Sequence, residues 1–208
     1  MNGEDGMVLL KEQNRAFTRR RLIDAAKVVF TARGYPDATV DEIVDTAGAS
    51  RAAFYVHFTG KGEIAGALLD DALPFAVSRY QELDLLLQRH RWYPREQLLA
   101  WVSGRFEGWR DDAVFNRTLY LAGTVDPVAE THLLRAAATM IDSLEWYLGS
   151  KQEPEREAAR SRLLILEIMT QQAFASASNP LRPIEPAYAV QALADLWFEA
   201  LAGRADAG

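Results

Sequence analysis

Thr39-Val40-Asp41-Glu42-Ile43-Val44-Asp45-Thr46-Ala47-Gly48-Ala49-Ser50-Arg51-Ala52-Ala53-Phe54-Tyr55-Val56-His57-Phe58 is the stretch that decides the fold of this chain. It reads as two short helices joined by a glycine turn. Thr39 is placed to cap the first helix, and Glu42, three residues on, completes a capping box. Ile43 and Ala47, at i and i+4, supply its apolar face. Gly48 stands where the helix must stop and the chain reverse, a position that favours positive φ. Ser50 then caps a second helix that buries Phe54 and leaves Arg51, Ala52, Ala53 and Tyr55 on faces open to a partner. Two helices meeting steeply across such a turn make a helix-turn-helix, and its second helix suits a DNA major groove.

Each residue type on that face has a physical task. An arginine at the start of the second helix can reach the O6 and N7 acceptors of guanine with both arms of its fork. Ala52 and Ala53 cannot hydrogen-bond bases, but their methyls can pack on thymine methyls. Tyr55 and His57 can donate to phosphates, and Lys61 at the next helix start adds positive charge where backbone amides already point at an anion. Thr39 and Ser50 cap their helices and lie within reach of phosphate. The competing reading packs Tyr55 and His57 around Phe58. Arg15, Arg19, Arg20 and Arg21 either reach the DNA backbone or minor groove, or form a solvated helix face.

The net charge of −6 over 208 residues looks wrong for a DNA binder until it is divided. Residues 1–62 carry nine Lys/Arg against eight Asp/Glu, whereas 63–208 carry fourteen against twenty-one. The acidity belongs to the second part, and screening over about 8 Å makes local sign decisive. Cysteine is absent, which excludes disulfides, thiolate metal sites and cysteine nucleophiles. His57, His90 and His132 share no metal-ligand spacing, and no catalytic constellation stands out, so neither enzyme activity nor a cofactor is expected. No stretch reaches the about 18 uninterrupted apolar residues of a membrane span, and the acidic N-terminus is no secretory signal. A cytoplasmic protein is expected.

Helical periodicity extends along the whole chain, so the fold class is all-α. A first helix carries Leu22, Ile23, Ala26, Val29 and Phe30 on one stripe and stops at Gly34. A fourth helix starts near Lys61, with Pro74 expected to end or kink it. Pro94 opens the next, striped by Leu98, Trp101, Val102, Phe106 and Trp109. A short helix over 113–123 precedes a long one from Asp126-Pro127 to about Gly149. Two more cover 155–176 and 185–203, on either side of a proline-rich connector. The first of these has Leu163, Leu164, Ile165, Leu166, Ile168 and Met169 around nearly its whole circumference, so it must be buried on more than one side. It is either a central core helix or, with the last helix, half of a four-helix homodimer interface.

With Phe30, Gly34 and Tyr35 before it, the run Phe54-Tyr55-x-His57-Phe58-x-x-Lys61 resembles the N-terminal domain of the tetracycline-repressor (TetR) family. The likeness spans about Arg19 to Leu68, with one departure: Gly62 stands where the family has an acidic residue. It implies a helix-turn-helix DNA-binding domain over 1–62 and an effector-binding, dimerising helical bundle over 63–208. The implied protein is a repressor that binds a palindromic double-stranded operator as a homodimer through its last two helices, and a hydrophobic small molecule releases it. The tail, through Leu166-Glu167-Ile168-Met169-Thr170, Phe174 and Leu196-Trp197, is also similar to the actinobacterial subgroup around the ethionamide-resistance regulator. That similarity implies an effector site of Trp101, Phe106, Trp109, Glu167, Thr170, Gln171, Phe174 and Trp197; the competing reading of the same residues is ordinary core packing between helices. Glu167 would meet the ligand there or pair with Arg105 or Arg110. The alternatives are an all-helical carrier or enzyme that binds no DNA, and a DNA-binding dimer governed by a protein partner.

Overall fold

The computed structural model describes residues 3–89, 95–179, 181 and 184–202, with side chains from residue 7 onward. Expectations that rest on His90, Trp92 and Pro94, and on Pro180, Arg182 and Pro183 of the proline-rich connector, lie outside the described residues. Ten helices fill the rest: α1 (Gly3–Arg33), α2 (Val40–Ala47), α3 (Arg51–His57), α4 (Lys61–Arg89), α5 (Arg95–Asp111), α6 (Ala113–Val125), α7 (Pro127–Asp142), α8 (Glu145–Gly149), α9 (Glu155–Ala177) and α10 (Pro186–Ala202). There is no strand among the described residues.

The fourth helix does not stop at Pro74: α4 is helical from Lys61 to Arg89 with the proline inside it. Pro74 lies on an exposed face, where water can satisfy the carbonyl left without its N–H partner. The contacts of α4 with α7, α1, α6 and α8 outweigh the local penalty.

The helix expected from Asp126 to Gly149 is in fact two. It breaks at Ser143-Leu144, and the short α8 follows. The break has a partner distant in sequence. The buried carboxylate of Asp84 on α4 accepts the backbone N–H groups of Trp146 and Tyr147, at 2.8 and 2.9 Å. A carboxylate at a helix start satisfies amides that have no partner within the helix. Here that carboxylate comes from another element, which a scan for local caps cannot find.

Two apolar cores result. One joins α4, α5, α7, α8, α9 and α10 around Tyr80, Trp101, Phe174 and Trp197. The other holds Leu22, Ile23, Phe30, Tyr35, Ile43, Phe54 and Phe58 of the first three helices and their connections, with Ile64 and Leu68 of α4. This second core continues into Phe115, Leu119 and Ala122 of α6 and Ala129 of α7. Helices α6 and α7 are therefore packed into the N-terminal core as well as into the body.

Candidate DNA-reading head and ligand cavity

The local rules that shape α2 and α3 are met in detail. Thr39 and Glu42 form the reciprocal capping box, and the Ser50 hydroxyl accepts from the Ala53 N–H at 3.0 Å. Gly48 takes φ 59°, and its neighbour Ala49 donates to the Val44 carbonyl at 2.8 Å, closing the end of α2. Phe54 is fully buried and anchors α3, while Arg51, Ala52, Tyr55 and Val56 stand exposed and Ala53 is half-buried. Arg51 pairs with Asp41 of α2 at 3.0 Å. Val56, 63% exposed, is an apolar residue on the same face that the sequence reading passed over.

His57 sits half-buried in a hollow with Glu12, Arg15 and Arg19. Burial, then the positive charge of Arg15 and Arg19, pushes its pKa below the usual imidazole value. That environment favours the neutral ring, which can still donate one hydrogen bond.

The basic cluster on α1 divides by role. Arg21 donates to the Ala47 and Gly48 carbonyls and so ties α1 to the end of α2. Arg20 bridges Asp24 and, at 2.7 Å, Asp71 of α4. Arg19 stacks its guanidinium over the Phe58 ring, and Arg15 is exposed.

Lys61 has a use that the sequence did not reveal. Its ammonium donates to the carbonyls of Tyr35, Pro36 and Ala38 at 2.7, 3.1 and 3.0 Å and lies over the Tyr35 ring. An ammonium has three N–H donors, so the loop between α1 and α2 engages all of them.

Beside this clamp lies the corner between α6 and α7. Tyr35 donates its hydroxyl to Asp126 at 2.5 Å, and Asp126 also caps α7 by accepting from the Val128 and Ala129 N–H groups. Burial pushes the Asp126 carboxyl up, but these hydrogen bonds and the charge of Lys61 outweigh it and hold its pKa below the usual range. Burial, with Asp126 beside it, raises Tyr35. Gly62 makes the corner possible, because a Cβ on it would fall 2.2 Å from Asp126 Oδ1. The departure at Gly62 thus has a physical reason: a carboxylate from the α6–α7 corner occupies the space.

In the body, six of the eight residues expected to hold an effector are packed into the core. Trp101, Phe106, Glu167, Thr170, Phe174 and Trp197 are buried, and none lines the cavity described below. Trp197 donates its indole N–H to Thr170 at 3.0 Å, and Trp101 donates to the Arg79 carbonyl at 2.8 Å. Glu167 pairs with Arg105, not Arg110, at 2.8 Å, and also accepts from the Tyr80 hydroxyl and from Gln171. The Arg105 guanidinium lies over Trp101 and Tyr80, 4.7 and 5.0 Å from the ring centroids. Arg105 and Glu167 are an internal ion pair stacked among aromatic rings, with every Glu167 oxygen engaged.

The cavity lies on the other side of that wall, with a volume of about 490 Å³ between α4, α5, α6, α7 and α9. Leu69, Leu73, Phe115, Leu119, Leu133 and Met140 give it apolar walls. Of the eight expected residues, only Trp109 and Gln171 reach it. The six apolar wall residues were missed because helices α4, α6 and α7 each bury more than one face, so periodicity cannot say which side meets empty space. Phe115 and Leu119 belong both to the cavity wall and to the core of the head.

The helix-turn-helix head thus shares its core with a helical body that holds a cavity of ligand size. The family model for bacterial regulatory proteins of the tetR family matches residues 22–68. The match spans the C-terminal part of α1, the helix-turn-helix and the start of α4, and over that stretch the chain is similar to this family. It is similar to TtgW of Pseudomonas putida, named as an uncharacterized HTH-type transcriptional regulator: 56% identical over 52 residues, covering 25% of this chain and 39% of that protein. The chain spans less than half the length of the curated relatives it matches. Fold similarity reaches further. A TetR-family regulator from Syntrophomonas wolfei superposes with a TM-score of 0.65 at 14% identity, covering 93% of this chain and 99% of that one. The Bacillus subtilis regulator FadR, solved with stearoyl-CoA, gives 0.57 at 16% identity over 87% and 98% of the two chains. Among the described residues no helix is long and apolar enough to cross a membrane.

Proposed function

We propose that this chain is a cytoplasmic repressor that binds a palindromic operator as a homodimer and leaves it when an apolar small molecule enters the cavity. The observation that carries this reading is the continuity of one core from the DNA-reading head to the cavity wall through Phe115 and Leu119. A ligand that moves these residues moves the packing surface of the head. In this reading Arg51 contacts a base edge, Tyr55 and His57 meet phosphates, Ala52, Ala53 and Val56 pack on bases or sugar, and Thr39 and Ser50 flank them. Lys61 acts by holding the loop between α1 and α2.

The dimer reading is supported by the exposed apolar residues Ile165, Ile168 and Met169 of α9 and Leu196 of α10. Their spacing puts Ile165, Ile168 and Met169 on one side of the helix, away from Leu163 in the core, with Ile168 also reaching the cavity edge. A second copy would cover that face and complete a four-helix bundle.

The test is selection of bound fragments from a random duplex library, followed by titration of the winning sequence with Arg51→Ala and Tyr55→Ala. Both substitutions should weaken binding, and Arg51→Ala should also relax preference at one base position by about 1–3 kcal/mol. Unchanged affinity and salt dependence in both variants would overturn the assigned face.

A further inference from the structure

We infer that the cavity takes an apolar compound bearing a hydrogen-bond donor or a positive charge, such as a lipophilic amine or alcohol, and rejects an acyl carboxylate. The inference rests on the cavity being the effector site and asks what its polar lining can recognise. That lining is small: Trp109, Asn116, Tyr120, Thr124, Gln171 and Glu130.

The donors among these residues are largely committed within the protein. Trp109 gives its indole N–H to Ser178 at 3.2 Å, and Asn116 gives its amide to the Trp109 carbonyl at 2.9 Å. Tyr120 donates to Gln172, Thr124 to the Leu121 carbonyl, and Gln171 to Glu167. What these groups still offer to a guest is mainly acceptor capacity: the amide oxygens of Asn116 and Gln171, and the lone pairs of the two hydroxyls. Glu130 is the charged residue of the lining, and it is exposed, at the solvent side. No lysine, arginine or histidine lines the cavity among the described residues.

A carboxylate would therefore enter an apolar space whose spare donors are the second N–H groups of Asn116 and Gln171. With no cation among the described lining residues to offset its charge and a negative charge at the edge, its desolvation would go largely uncompensated. An ammonium or hydroxyl would instead meet acceptors, and an ammonium also the face of Trp109 and the charge of Glu130.

The experiment uses the full-length protein at pH 7 with three probes sharing one chain, decylamine, 1-decanol and decanoate, each below its micelle concentration and titrated by calorimetry. Decylamine and decanol should bind, and decanoate should bind at least about tenfold more weakly. Glu130→Gln should cut the advantage of the amine over the alcohol by about threefold and leave the alcohol unchanged, the size expected for a solvent-exposed charge pair. Ala76→Phe, which fills the cavity from α4, should abolish binding of both. Decanoate binding as tightly as decylamine, with Ala76→Phe still blocking it, would overturn the ligand class while leaving the cavity as effector site. Probes that bind Ala76→Phe as well as the native chain, or none that bind the native chain, would overturn both readings.

Discussion

Replacing Gly62 by alanine tests the corner between head and body. Elsewhere in a helix this change stabilises by about 1 kcal/mol, because alanine is the better helix former. Here the added Cβ would lie 2.2 Å from Asp126 Oδ1 and 2.6 Å from its Cγ, so the carboxylate must leave. Its departure breaks the hydrogen bond from the Tyr35 hydroxyl, worth about 1.5–3 kcal/mol with a charged acceptor. It also breaks the cap on α7, worth about 1 kcal/mol. Subtracting the gain in helix propensity leaves a net loss of about 2 kcal/mol. For a chain of this size that loss is a fall of about 4–8 °C in the unfolding midpoint.

The assay is thermal and urea unfolding of Gly62→Ala, Asp126→Ala and the double variant at one fixed protein concentration, since any dimerisation would shift the midpoint. In the Asp126→Ala background the offending atoms are gone, so the same Gly62→Ala change should become stabilising by about 1 kcal/mol. A Gly62→Ala variant more stable than the native chain, or the same change in both backgrounds, would refute the reasoning. The corner has a pH signature as well. A carboxyl held below its ordinary value contributes stability that is present at neutral pH and lost as pH falls through the folded-state value. The stability gap between native and Asp126→Asn proteins should therefore close below about pH 4.

Three other outcomes are expected. Lys61→Met should lower thermal stability and leave the salt dependence of operator binding nearly unchanged, whereas Arg15→Ala should leave stability unchanged; a shallower salt slope with Lys61→Met would place that ammonium on phosphate after all. Glu167→Leu alone should destabilise by about 3–5 kcal/mol by stranding the Arg105 guanidinium, and adding Arg105→Met should recover much of that loss, measured by urea unfolding. Ile165→Glu should give a monomer by sedimentation and lose operator binding while the isolated fold keeps its helical signal; a persistent dimer would remove the α9–α10 face as its interface.

The head was legible in the sequence because its determinants are local. Thr39 with Glu42, Gly48 at positive φ, and Ser50 with Ala53 each close within a few residues, so spacing alone identifies them. The body was legible in its helices but not in its site. Glu167 drew attention as a carboxylate in an apolar helix, yet the partners that neutralise it, Tyr80 and Arg105, are 87 and 62 residues away. Asp84 had no local signal at all, since the amides it caps belong to a helix 62 residues on. Lys61 was noticed for its charge, and its three carbonyl partners arise only once the loop after α1 has turned back on α4. Pairings across helices depend on which faces meet, and helices buried on two sides leave that choice open.

The same geometry bears on how a bound molecule would reach the DNA. An effector changes operator affinity only by the difference in its own affinity for the two conformations, so it must contact something that differs between them. For the proposed repressor α6 is that element: Phe115 and Leu119 line both the cavity and the core of the head, and the helix ends at the Asp126 corner held by Tyr35. Under the proposed reading, a guest that pushes α6 and α7 apart draws on the same contacts that position α1 and the loop before α2. Asp126→Ala is then the informative variant. It should weaken the link while keeping the cavity, so a probe that binds with unchanged affinity should lose part of its effect on operator binding. If ligand affinity and ligand response fell together, Asp126 would belong to the cavity and not to the link.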